Sequence, residues 1–398
     1  MARVVKKLVA DFETTTDVED CRVWASCIYD IEEKKIVHLS NNIEDFMEVL
    51  RQSSKILELM VYFHNLKFDG EFILWWLYDN GYRYDESLSR ANTFRCLITD
   101  TGLFYELEIR FYKKGVGKIV AIRDSLKLIP LKVEQMAKAF GLNTLKGSID
   151  YDRFREKGHK LTSEEIEYIK NDVIIVGDSL RNMFDAGLNK ITISSNALAD
   201  YKLSIGGDTK FRRLYPKLEK IDDNFIREAY RGGYTYVNPN IQGKHIKKNG
   251  MTFDVNSLYP SRMAYELLPY DMPIYYVGDY PKNEFYPLYI QHIKCKFKLK
   301  KGYVPTIQLK NSQFKEHEYI TNSGVERQHL YLTNIDLEIF LEHYEVTNIE
   351  YIDGYMFKGK HNLFQRYIDK WMRVKYESEV SGNKGMRQIA KLMLNSLY

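Results

Sequence analysis

Carboxylates at the ends of apolar segments are the first residues of this sequence that could do chemistry. Asp11 and Glu13 lie at the end of the apolar run Val4–Phe12, which predicts a central β-strand. Alternate residues of a strand face the same side, so the two carboxylates repel each other unless a cation neutralises them. Hard oxygen ligands of this kind suit Mg²⁺ or Mn²⁺. Asp-x-Glu also occurs by chance in many chains, and its weight here comes from its place at the end of the strand.

A further carboxylate, Asp69, follows another apolar run. Leu59–Phe63 predicts a strand that leads into a turn, and Asp69 is expected to open the helix Glu71–Leu77. An aspartate at a helix start is more often an N-cap than a metal ligand, so both roles stay open. His64 and Asn65 in the turn could bind a ligand or only satisfy backbone groups.

A phenol and a carboxylate share one face of a third segment. Thr162 or Ser163 caps a helix whose first turn is acidic. Tyr168 and Asp172 are four residues apart on this helix and therefore face the same way. One group could orient a water molecule while the other holds a metal. The alternative is an amphipathic helix with a core tyrosine.

The stretch Thr252–Ser261 places another aspartate at the end of a segment. Its apolar run predicts a buried strand that ends on Asp254 and turns through Asn256 and Ser257. A carboxylate at the end of a core strand is exposed at the edge of the sheet, where a divalent cation can sit. The alternative is a strand that stops at a turn-forming aspartate.

A glycine pair follows an arginine in Tyr230-Arg231-Gly232-Gly233-Tyr234. Two glycines let the backbone approach a ligand closely, and arginine between tyrosines suits a track for phosphates and bases. A plain Gly-Gly turn is the alternative.

The last segment, Leu363–Tyr398, predicts helix with a loop near residues 381–383. Its end places Lys391, Asn395 and Tyr398 on one face, at spacings of four and three. A lysine on such a face can neutralise a triphosphate. It can also be an ordinary solvated lysine of an amphipathic helix.

Size and composition exclude several classes of protein. The chain has 398 residues, 44% hydrophobic and 28% charged, which suits two or three domains and excludes a disordered chain. A net charge of +4 is too small to prove a polyanionic partner, although 31 tyrosines offer stacking surfaces for single-stranded nucleic acid. The four cysteines have no metal-ligand spacing and are expected to be reduced, intracellular thiols. No apolar run approaches the ~20 residues of a membrane span.

Asp-x-Glu on a strand, Asn-x-x-Phe-Asp after a strand and Tyr-x-x-x-Asp on a helix, in this order, resemble the ribonuclease-H-like 3′–5′ exonuclease domain of family B DNA polymerases. The resemblance implies that Asp11, Glu13, Asp69 and Asp172 bind two metal ions and that Tyr168 positions the attacking water. One ion would activate the water and the other would take the leaving 3′ oxygen. The resemblance extends to residues that bind the frayed primer end or support the site in the family: Thr14, Tyr62, His64, Asn65, Phe68, Ser125, Leu126 and Lys146. Lys146 could equally be a loop lysine that meets only solvent.

The second half resembles the polymerase module of the same family. Asp254-Val255-Asn256-Ser257-Leu258-Tyr259-Pro260 is similar to motif A, which implies a metal site at Asp254 and Val255 and puts residues 255–258 beside the triphosphate. Tyr259 would be the gate against a ribose 2′-hydroxyl. Tyr230, Arg231, Gly232 and Gly233 resemble the Tyr-x-Gly-Gly motif that binds the template strand. Lys391, Asn395 and Tyr398 resemble motif B, which contacts the incoming nucleotide.

The stretch from Leu267 to Asn362 is expected to be less regular and is rich in Tyr, Pro and Lys. Its lysines at positions 294, 296, 298, 300 and 301 alternate in part, as on the solvated face of a strand. By the resemblance, they lie where protein-primed members carry their first terminal-protein-region insertion, which implies contacts with a priming protein.

In motif order, the whole chain resembles the N-terminal two-thirds of a protein-primed family B DNA polymerase of the small Bacillus-phage type. The implied fold is α/β with an α+β palm. An exonuclease domain would occupy residues 1–190, the first part of the palm 191–265, the insertion 266–362 and the start of the fingers 363–398. No Asp-Thr-Asp (motif C) occurs in the sequence, and by the resemblance a second insertion and a thumb would follow.

The resemblance implies a DNA-directed DNA polymerase with a proofreading exonuclease, replicating viral DNA in the cytoplasm of a bacterial host. The implied partners are primer–template and single-stranded DNA, deoxynucleoside triphosphates, a terminal (priming) protein and two Mg²⁺ or Mn²⁺ ions per active site. Because Asp254 alone cannot complete a two-metal site, polymerisation is expected to need a C-terminal polypeptide. A stand-alone exonuclease and a catalytically idle DNA- or terminal-protein-binding fragment are the alternatives. The intact exonuclease carboxylates argue against the second.

Overall fold

The computed structural model of the chain describes residues 5–17, 19–308 and 319–398 and has a mixed α/β fold. The chain divides into two units, Met1–Asp200 together with Lys370–Tyr398, and Tyr201–Asp369. In the described residues up to residue 185 the strands and α-helices are, in chain order, β1 Val5–Thr14, β2 Val23–Asp30, β3 Lys35–Ser40, α1 Ile43–Ser53, β4 Glu58–Phe63, α2 Leu66–Asp79, β5 Arg83–Tyr84, β6 Thr93–Ile98, β7 Phe104–Arg110, β8 Val120–Asp124, α3 Val133–Phe140 and α4 Ser163–Asp185.

These strands form one mixed sheet in the order β3-β2-β1-β4-β8-β7-β6-β5. β1 pairs in parallel with β4, and β4 pairs in parallel with β8, while β2 runs antiparallel to β1. The carboxyl ends of β1, β4 and β8 therefore lie at the same edge of the sheet. This edge positions the residues that follow the three strands.

The strand predicted at Val4–Phe12 is confirmed as β1, although residue 4 lies outside the described residues. Leu8, Ala10 and Phe12 belong to one buried hydrophobic cluster. Because neighbouring residues of a strand alternate between its faces, Asp11 and Glu13 share the opposite face. The strand predicted at Leu59–Phe63 is likewise confirmed, as β4.

The helix predicted from Glu71 begins earlier, at Leu66, so the assignment of Asp69 as the residue that opens it is wrong. Asn65 is the N-cap and has a left-handed backbone conformation, with φ 76° and ψ 52°. Asparagine tolerates this conformation better than most residues, and it lets the chain turn directly from β4 into α2. Asp69 therefore lies inside the first turn and is buried.

The start of α4 agrees with the prediction. Thr162 is the N-cap, its hydroxyl accepts a hydrogen bond from the N–H of Glu165, and the Glu165 carboxylate accepts one from the N–H of Thr162. This reciprocal capping box satisfies two of the free donors at the start of the helix.

The helix α5 Ile193–Ser204 leads into the second unit. The described elements that follow are α6 Asp208–Leu214, α7 Lys220–Glu228, α8 Leu258–Tyr265, β9 Leu268–Val277, β10 Leu288–Leu299, β11 Gln328–Thr333, α9 Asn334–His343, β12 Tyr344–Lys360, α10 Gln365–Val380 and α11 Lys384–Leu394. The strands form an antiparallel sheet in the order β11-β10-β12-β9, with α9 packed on its buried face.

Two predictions for the second unit are wrong. The stretch from Leu267 to Asn362 is not irregular, because most of its described residues belong to this sheet and to α9. Register shifts in β10 near residues 292–296 break the alternation by which a strand is recognised in a sequence. The strand predicted at Thr252–Asp254 is absent from the described residues, and Phe253 is 84% exposed. A strand needs a neighbour for its backbone groups, and none of the described strands pairs with this segment.

The helices predicted at Leu363–Tyr398 are confirmed as α10 and α11, with a break at residues 381–383. The expectation that Lys391, Asn395 and Tyr398 share one helical face is wrong for Tyr398, because α11 ends at Leu394. The N–H of Asn395 donates to the carbonyls of both Lys391 and Leu392, which tightens the last turn and ends the helix. None of the helices in the described part of the chain is long and apolar enough to cross a membrane.

Candidate metal centre

Four carboxylates meet in one cavity of the first unit. Asp11 and Glu13 lie on β1, Asp69 in the first turn of α2 and Asp172 in the middle of α4. One oxygen atom from each of Asp11, Glu13 and Asp172 lies within 4.8 Å of the others. Asp69 lines the same cavity, whose volume is about 450 Å³. The fold therefore brings together the four residues for which metal binding was predicted in this half of the chain.

Burial and mutual repulsion oppose ionisation of these carboxylates when no cation is bound. Burial, followed by the charges of Asp69, Glu13 and Asp172, raises the pKa of Asp11 well above its usual value. Burial and the charge of Asp172 raise the pKa of Glu13 to about 8, and burial raises the pKa of Asp69 to about 7. A divalent cation would stabilise the ionised forms and reverse these shifts.

Asp172 has one oxygen with a partner and one without. Lys146 donates a hydrogen bond to Asp172 Oδ2. Burial acts to lower the pKa of Lys146, but the charge and hydrogen bond of Asp172 outweigh it and raise that pKa. Asp172 Oδ1 is buried and has no hydrogen-bond partner among the described residues. Such an oxygen costs free energy unless it binds a donor or a cation, and the all-oxygen ligand set fits Mg²⁺ or Mn²⁺.

Two tyrosines line one side of the cavity. The hydroxyls of Tyr151 and Tyr168 are 2.6 Å apart, and Lys146 Nζ lies 5.1 Å from the centroid of the Tyr168 ring. Burial raises the pKa of both phenols, so both stay protonated. One hydroxyl donates to the other, and the remaining hydrogen can be donated beside the carboxylates. Sequence reasoning identified Tyr168 but missed Tyr151, because residue 151 lies in a loop without a periodic pattern that would orient it.

A hydrogen-bond network fixes the turn between β4 and α2. The N–H of Asn65 donates to Asp124 Oδ1 at 3.0 Å. His64 Nδ1 lies 2.9 Å from Ser125 Oγ, and His64 Nε2 lies 2.7 Å from the carbonyl oxygen of Leu131. Burial lowers the pKa of His64, so the ring is neutral, and its Nε2 donates to the carbonyl oxygen of Leu131, which can only accept. The Ser125 hydroxyl lies 2.9 Å from both His64 Nδ1 and the carbonyl oxygen of Phe63.

Some of the residues predicted to contact DNA in this half line the cavity, and others are buried outside it. Phe68 is 51% exposed, whereas Tyr62 is buried and its hydroxyl contacts the sulfur of Met60. Ser125 is also buried and binds only within the turn network, so Tyr62 and Ser125 lie beneath the site. Four of the predicted residues line the cavity: Thr14, His64, Asn65 and Phe68.

Asp124 is a structural residue of the site that sequence reasoning missed. Asp124 is the last residue of β8. A carboxylate that follows a short apolar run, as Asp11 does, is the sequence signal that could have identified it. The Asp124 carboxylate accepts hydrogen bonds from the N–H groups of Asn65 and Leu126, both predicted site residues. Asp124 therefore ties the β4–α2 turn to the segment after β8.

A buried arginine holds the loop that carries Lys146 and Tyr151. The Arg155 guanidinium lies 4.0 Å from the centroid of the Trp24 ring, and Nε donates to Glu165 Oε1 at 2.8 Å. Its other donors bind the carbonyl oxygens of Asp150 and Arg153. Both Arg155 and Glu165 are only 4% exposed. The loop is thus anchored to β2 and to the start of α4.

Replacing Arg155 with methionine is expected to lower the free energy of unfolding by about 3–5 kcal/mol, because it leaves the Glu165 carboxylate buried without its arginine partner. Burial opposes ionisation of Glu165, but hydrogen bonds from Thr162, His159 and Arg155 lower its pKa to about 2, so it is charged at neutral pH. Urea denaturation measures the loss. Arg155→Lys keeps the charge without the planar fork and should restore part of it. A loss below about 1 kcal/mol for Arg155→Met would show that the pair does not stabilise the loop.

Arg231, which precedes the glycine pair, forms hydrogen bonds with backbone carbonyls of the second unit. Arg231 Nη1 donates to the carbonyl oxygen of Gln308 at 3.0 Å, and Nη2 to that of Tyr331 at 3.4 Å. A Cβ at Gly233 would lie 2.7 Å from the Tyr259 hydroxyl, so a larger residue there would displace that ring. Tyr230 is 75% exposed and remains accessible for stacking.

In the described part of the chain, the residues predicted to form a polymerase centre do not come together as a metal site. Asp254 and Val255 lie in an exposed segment without helix or strand. Among the described residues, Asp254 belongs to no cluster of three or more possible metal ligands. Ser257 has a left-handed backbone and precedes α8, which begins at Leu258 and includes Tyr259. Three predicted nucleotide-binding residues belong instead to the first unit: Lys391, Asn395 and Tyr398.

A mixed α/β fold with a buried carboxylate cluster beside a protonated tyrosine is consistent with a nucleic-acid enzyme. The chain belongs to the family described as DNA polymerase type B, organellar and viral, whose family model matches residues 51–160 and 153–398.

Several phage proteins are similar to the chain over nearly its whole length. It is 47% identical over 395 residues to the DNA polymerase of Bacillus phage M2 and 46% identical over 396 residues to that of Bacillus phage phi29. Each alignment covers 99% of this chain and 67% of the relative. The DNA polymerase of Streptococcus phage Cp-1 is 32% identical over 408 residues, covering 98% of this chain and 68% of the relative.

Solved structures of the phi29 enzyme have the same fold. The phi29 DNA polymerase complexed with single-stranded DNA superposes with a TM-score of 0.92 at 43% identity, over 99% of this chain and 67% of that one. The ternary complex with primer-template DNA and incoming nucleotide substrates gives 0.88 at 44% identity, over 99% and 68%. The recognition of a phage-type family B polymerase from its motifs is confirmed. The chain spans about two thirds of these relatives.

Proposed function

We propose that the chain hydrolyses single-stranded DNA from its 3′ end and that Asp11, Glu13, Asp69 and Asp172 hold two Mg²⁺ or Mn²⁺ ions for this reaction. One observation carries the proposal: three of these carboxylates have oxygens within 4.8 Å of one another, and Asp172 Oδ1 lacks a partner among the described residues. When bound, the ions would activate a water molecule and stabilise the leaving 3′ oxygen.

The side chains around the carboxylates orient the water and the DNA end. The Tyr168 hydroxyl, protonated and 2.6 Å from that of Tyr151, donates a hydrogen bond that positions the attacking water. Burial raises the pKa of Asp172, and Lys146 opposes this rise and neutralises part of the charge of the cluster. The exposed ring of Phe68 offers a stacking surface for the terminal base. Thr14 supplies a polar contact for the terminal nucleotide.

We place the exonuclease in residues 1–190, the first part of a palm in 191–265, a terminal-protein-region insertion in 266–362 and the start of the fingers in 363–398. The observed units change instead at residues 200 and 369. In the proposed palm and fingers, Asp254 and Val255 contact metal ions, and the glycine pair contacts template. The incoming nucleotide is contacted by Val255, Ser257, Leu258, Tyr259, Lys391, Asn395 and Tyr398.

Polymerisation needs more than these 398 residues, because the sequence contains no Asp-Thr-Asp to supply a second polymerase carboxylate. A C-terminal polypeptide would supply it. The proposed substrates are primer–template DNA and deoxynucleoside triphosphates, with a terminal protein as primer. The phi29 complexes with single-stranded DNA and with primer-template DNA and incoming nucleotides support the DNA and nucleotide substrates. The phage origin of the relatives supports a site of action in the cytoplasm of a bacterial host.

A primer assay tests the proposed function. The purified chain is incubated with a 5′-labelled primer–template and Mg²⁺, with and without nucleotides. We expect the primer to shorten in both conditions, and to lengthen only when the C-terminal third of a close relative is added. Lengthening by the chain alone would refute the need for the missing carboxylate. No shortening under any condition would refute the exonuclease and favour a DNA-binding or terminal-protein-binding role.

A further inference from the structure

A row of cavities leads away from the candidate metal centre along α3. The cavity of the carboxylates shares Lys146 with a second cavity of about 560 Å³. The second shares Lys138 and Lys384 with a third of about 390 Å³. We name the second and third cavities the α3 groove. All their lining residues belong to the first unit.

The α3 groove has a mainly basic lining. Its charged residues are Lys138, Lys146, Lys384, Arg387, Glu134 and Glu379. Arg387 Nε lies 3.5 Å from Glu379, and Lys146 is paired with Asp172, so these two cations are partly compensated. Lys138 and Lys384 are exposed, and within the described ranges neither forms an ion pair. Two cations that form no ion pair among the described residues therefore line the groove, Lys138 on α3 and Lys384 on α11, beside one further anion, Glu134.

The chain fixes the position of Lys384 rather than leaving it on a free surface. Asn383 caps α11 by accepting a hydrogen bond from the N–H of Met386 at 3.0 Å, so Lys384 is the first residue of the helix. Gly141 ends α3 with φ 66°, and a Cβ at this position would lie 3.0 Å from Lys384 Cδ. The lysine stem thus packs over a glycine at the end of α3, and α11 contributes a wall of the groove.

We propose that the α3 groove binds the phosphodiester backbone of single-stranded DNA, on the 5′ side of a 3′ end held in the metal centre. This inference rests on the proposed exonuclease function. The carboxylate cluster repels every phosphate except those that its metal ions contact, so the strand needs cations as soon as it leaves the centre. Lys146 lies at that exit, and Lys138 and Lys384 follow it. Leu145, 67% exposed in the same groove, offers an apolar surface to a base.

Binding of two oligo(dT) probes to the full chain tests the groove. A probe of about 4 nucleotides fills the metal centre alone, whereas one of about 16 nucleotides also reaches the groove. The probes carry phosphorothioate linkages at their 3′ ends, which resist hydrolysis, so binding is measured by fluorescence anisotropy in Mg²⁺ with the metal centre occupied. In Lys138→Glu/Lys384→Glu we expect the ratio of long-probe to short-probe affinity to fall by about 10-fold. The salt slope for the long probe should decrease by about 1.4, as for two phosphate contacts with a single strand.

Lys34→Glu/Lys160→Glu is the matched control, because it makes the same change in charge at two exposed lysines that line none of the three cavities. It should leave both the ratio and the slope unchanged. An unchanged ratio in the groove variant, or an equal fall in the control, would overturn the proposal. Failure of the wild-type chain to shorten a primer would instead refute the exonuclease, because the binding assay does not depend on hydrolysis.

Discussion

Asp11→Asn is expected to abolish shortening of DNA 3′ ends and, at the same time, to stabilise the metal-free chain. The substitution removes a proposed ligand of both metal ions while keeping the size of the side chain. If the ions supply about 4 kcal/mol of transition-state stabilisation, the rate should fall by about 10³-fold. The labelled-primer assay in Mg²⁺ measures this loss, which follows from the chemistry of the site alone.

The gain in stability follows from the electrostatics of the same cluster. Asp11 is surrounded by Glu13, Asp69 and Asp172, and burial and their charges raise its pKa. Asparagine at this position repels none of them, so the free energy of unfolding in EDTA should rise by about 2 kcal/mol. Thermal unfolding in EDTA, seen as a melting temperature higher by a few degrees, checks this. Opposite effects on activity and stability are typical of residues kept for function.

Asp100→Asn is the control for both measurements. It makes the same chemical change at a residue that lies exposed in the turn between β6 and β7. It should alter neither the rate nor the melting temperature. A wild-type rate for Asp11→Asn would remove Asp11 from the metal centre. A lower melting temperature in EDTA would show that favourable contacts, rather than repulsion, dominate at this carboxylate.

The parts of the molecule that the sequence predicted well are those governed by local rules. β1 and β4 follow from short apolar runs, and α4 follows from a capping box within four residues of chain. Asp11 with Glu13, and Tyr168 with Asp172, are oriented together by the period of a strand and of a helix. Their convergence in one cavity does not follow from periodicity. It was expected only because the order of the motifs resembles a known family.

The parts that were missed depend on contacts between distant residues. α2 begins at Leu66 because Asn65 adopts a left-handed backbone that is held by Asp124, which is 59 residues away. The anchor of Arg155 on Trp24 likewise joins β2 to a loop far along the chain. No local pattern encodes either contact, so a sequence without an alignment could not predict them.

The strand predicted to end at Asp254 is wrong for another reason. The run Thr252–Asp254 has the composition of a buried strand, yet it lies exposed and unpaired among the described strands. Composition reports the tendency to be buried in a sheet, but a strand also needs a neighbour to pair with. A pattern can therefore predict a strand correctly for one structural context and wrongly for another.

The metal-free chain should lose stability as the pH rises from about 4 to about 8. The pKa values of Glu13 and Asp69 are 4.5 and 3.8 in an unperturbed chain, and burial with neighbouring charge raises them to about 8 and about 7 in the folded one. Between these limits the folded chain binds more protons than the unfolded chain, so the free energy of unfolding falls with rising pH. At 1.36 kcal/mol per pKa unit, each group contributes on the order of 4 kcal/mol.

Urea denaturation in EDTA at several pH values measures this loss, and the same series in Mg²⁺ should show a smaller one. The cation binds the ionised carboxylates, so its stabilising effect should grow with pH and reach about 2.7 kcal/mol at a concentration of 100 times its dissociation constant. Asp11→Asn is the comparison variant, because it removes one source of repulsion and should flatten the EDTA curve. If the stability in EDTA stays constant or rises between about pH 5 and about pH 8, the prediction is contradicted.

Glu165 provides an internal check on the sign of this effect. Its pKa is lowered to about 2, so the stability that it contributes is present above about pH 4.5 and is lost only as the pH falls toward 2. The two kinds of carboxylate therefore act in separate pH ranges and in opposite directions. A stability maximum near pH 4 to 5 in EDTA, moving to higher pH when Mg²⁺ is added, is the combined result that a metal-binding carboxylate cluster beside a structural Arg155–Glu165 pair should give.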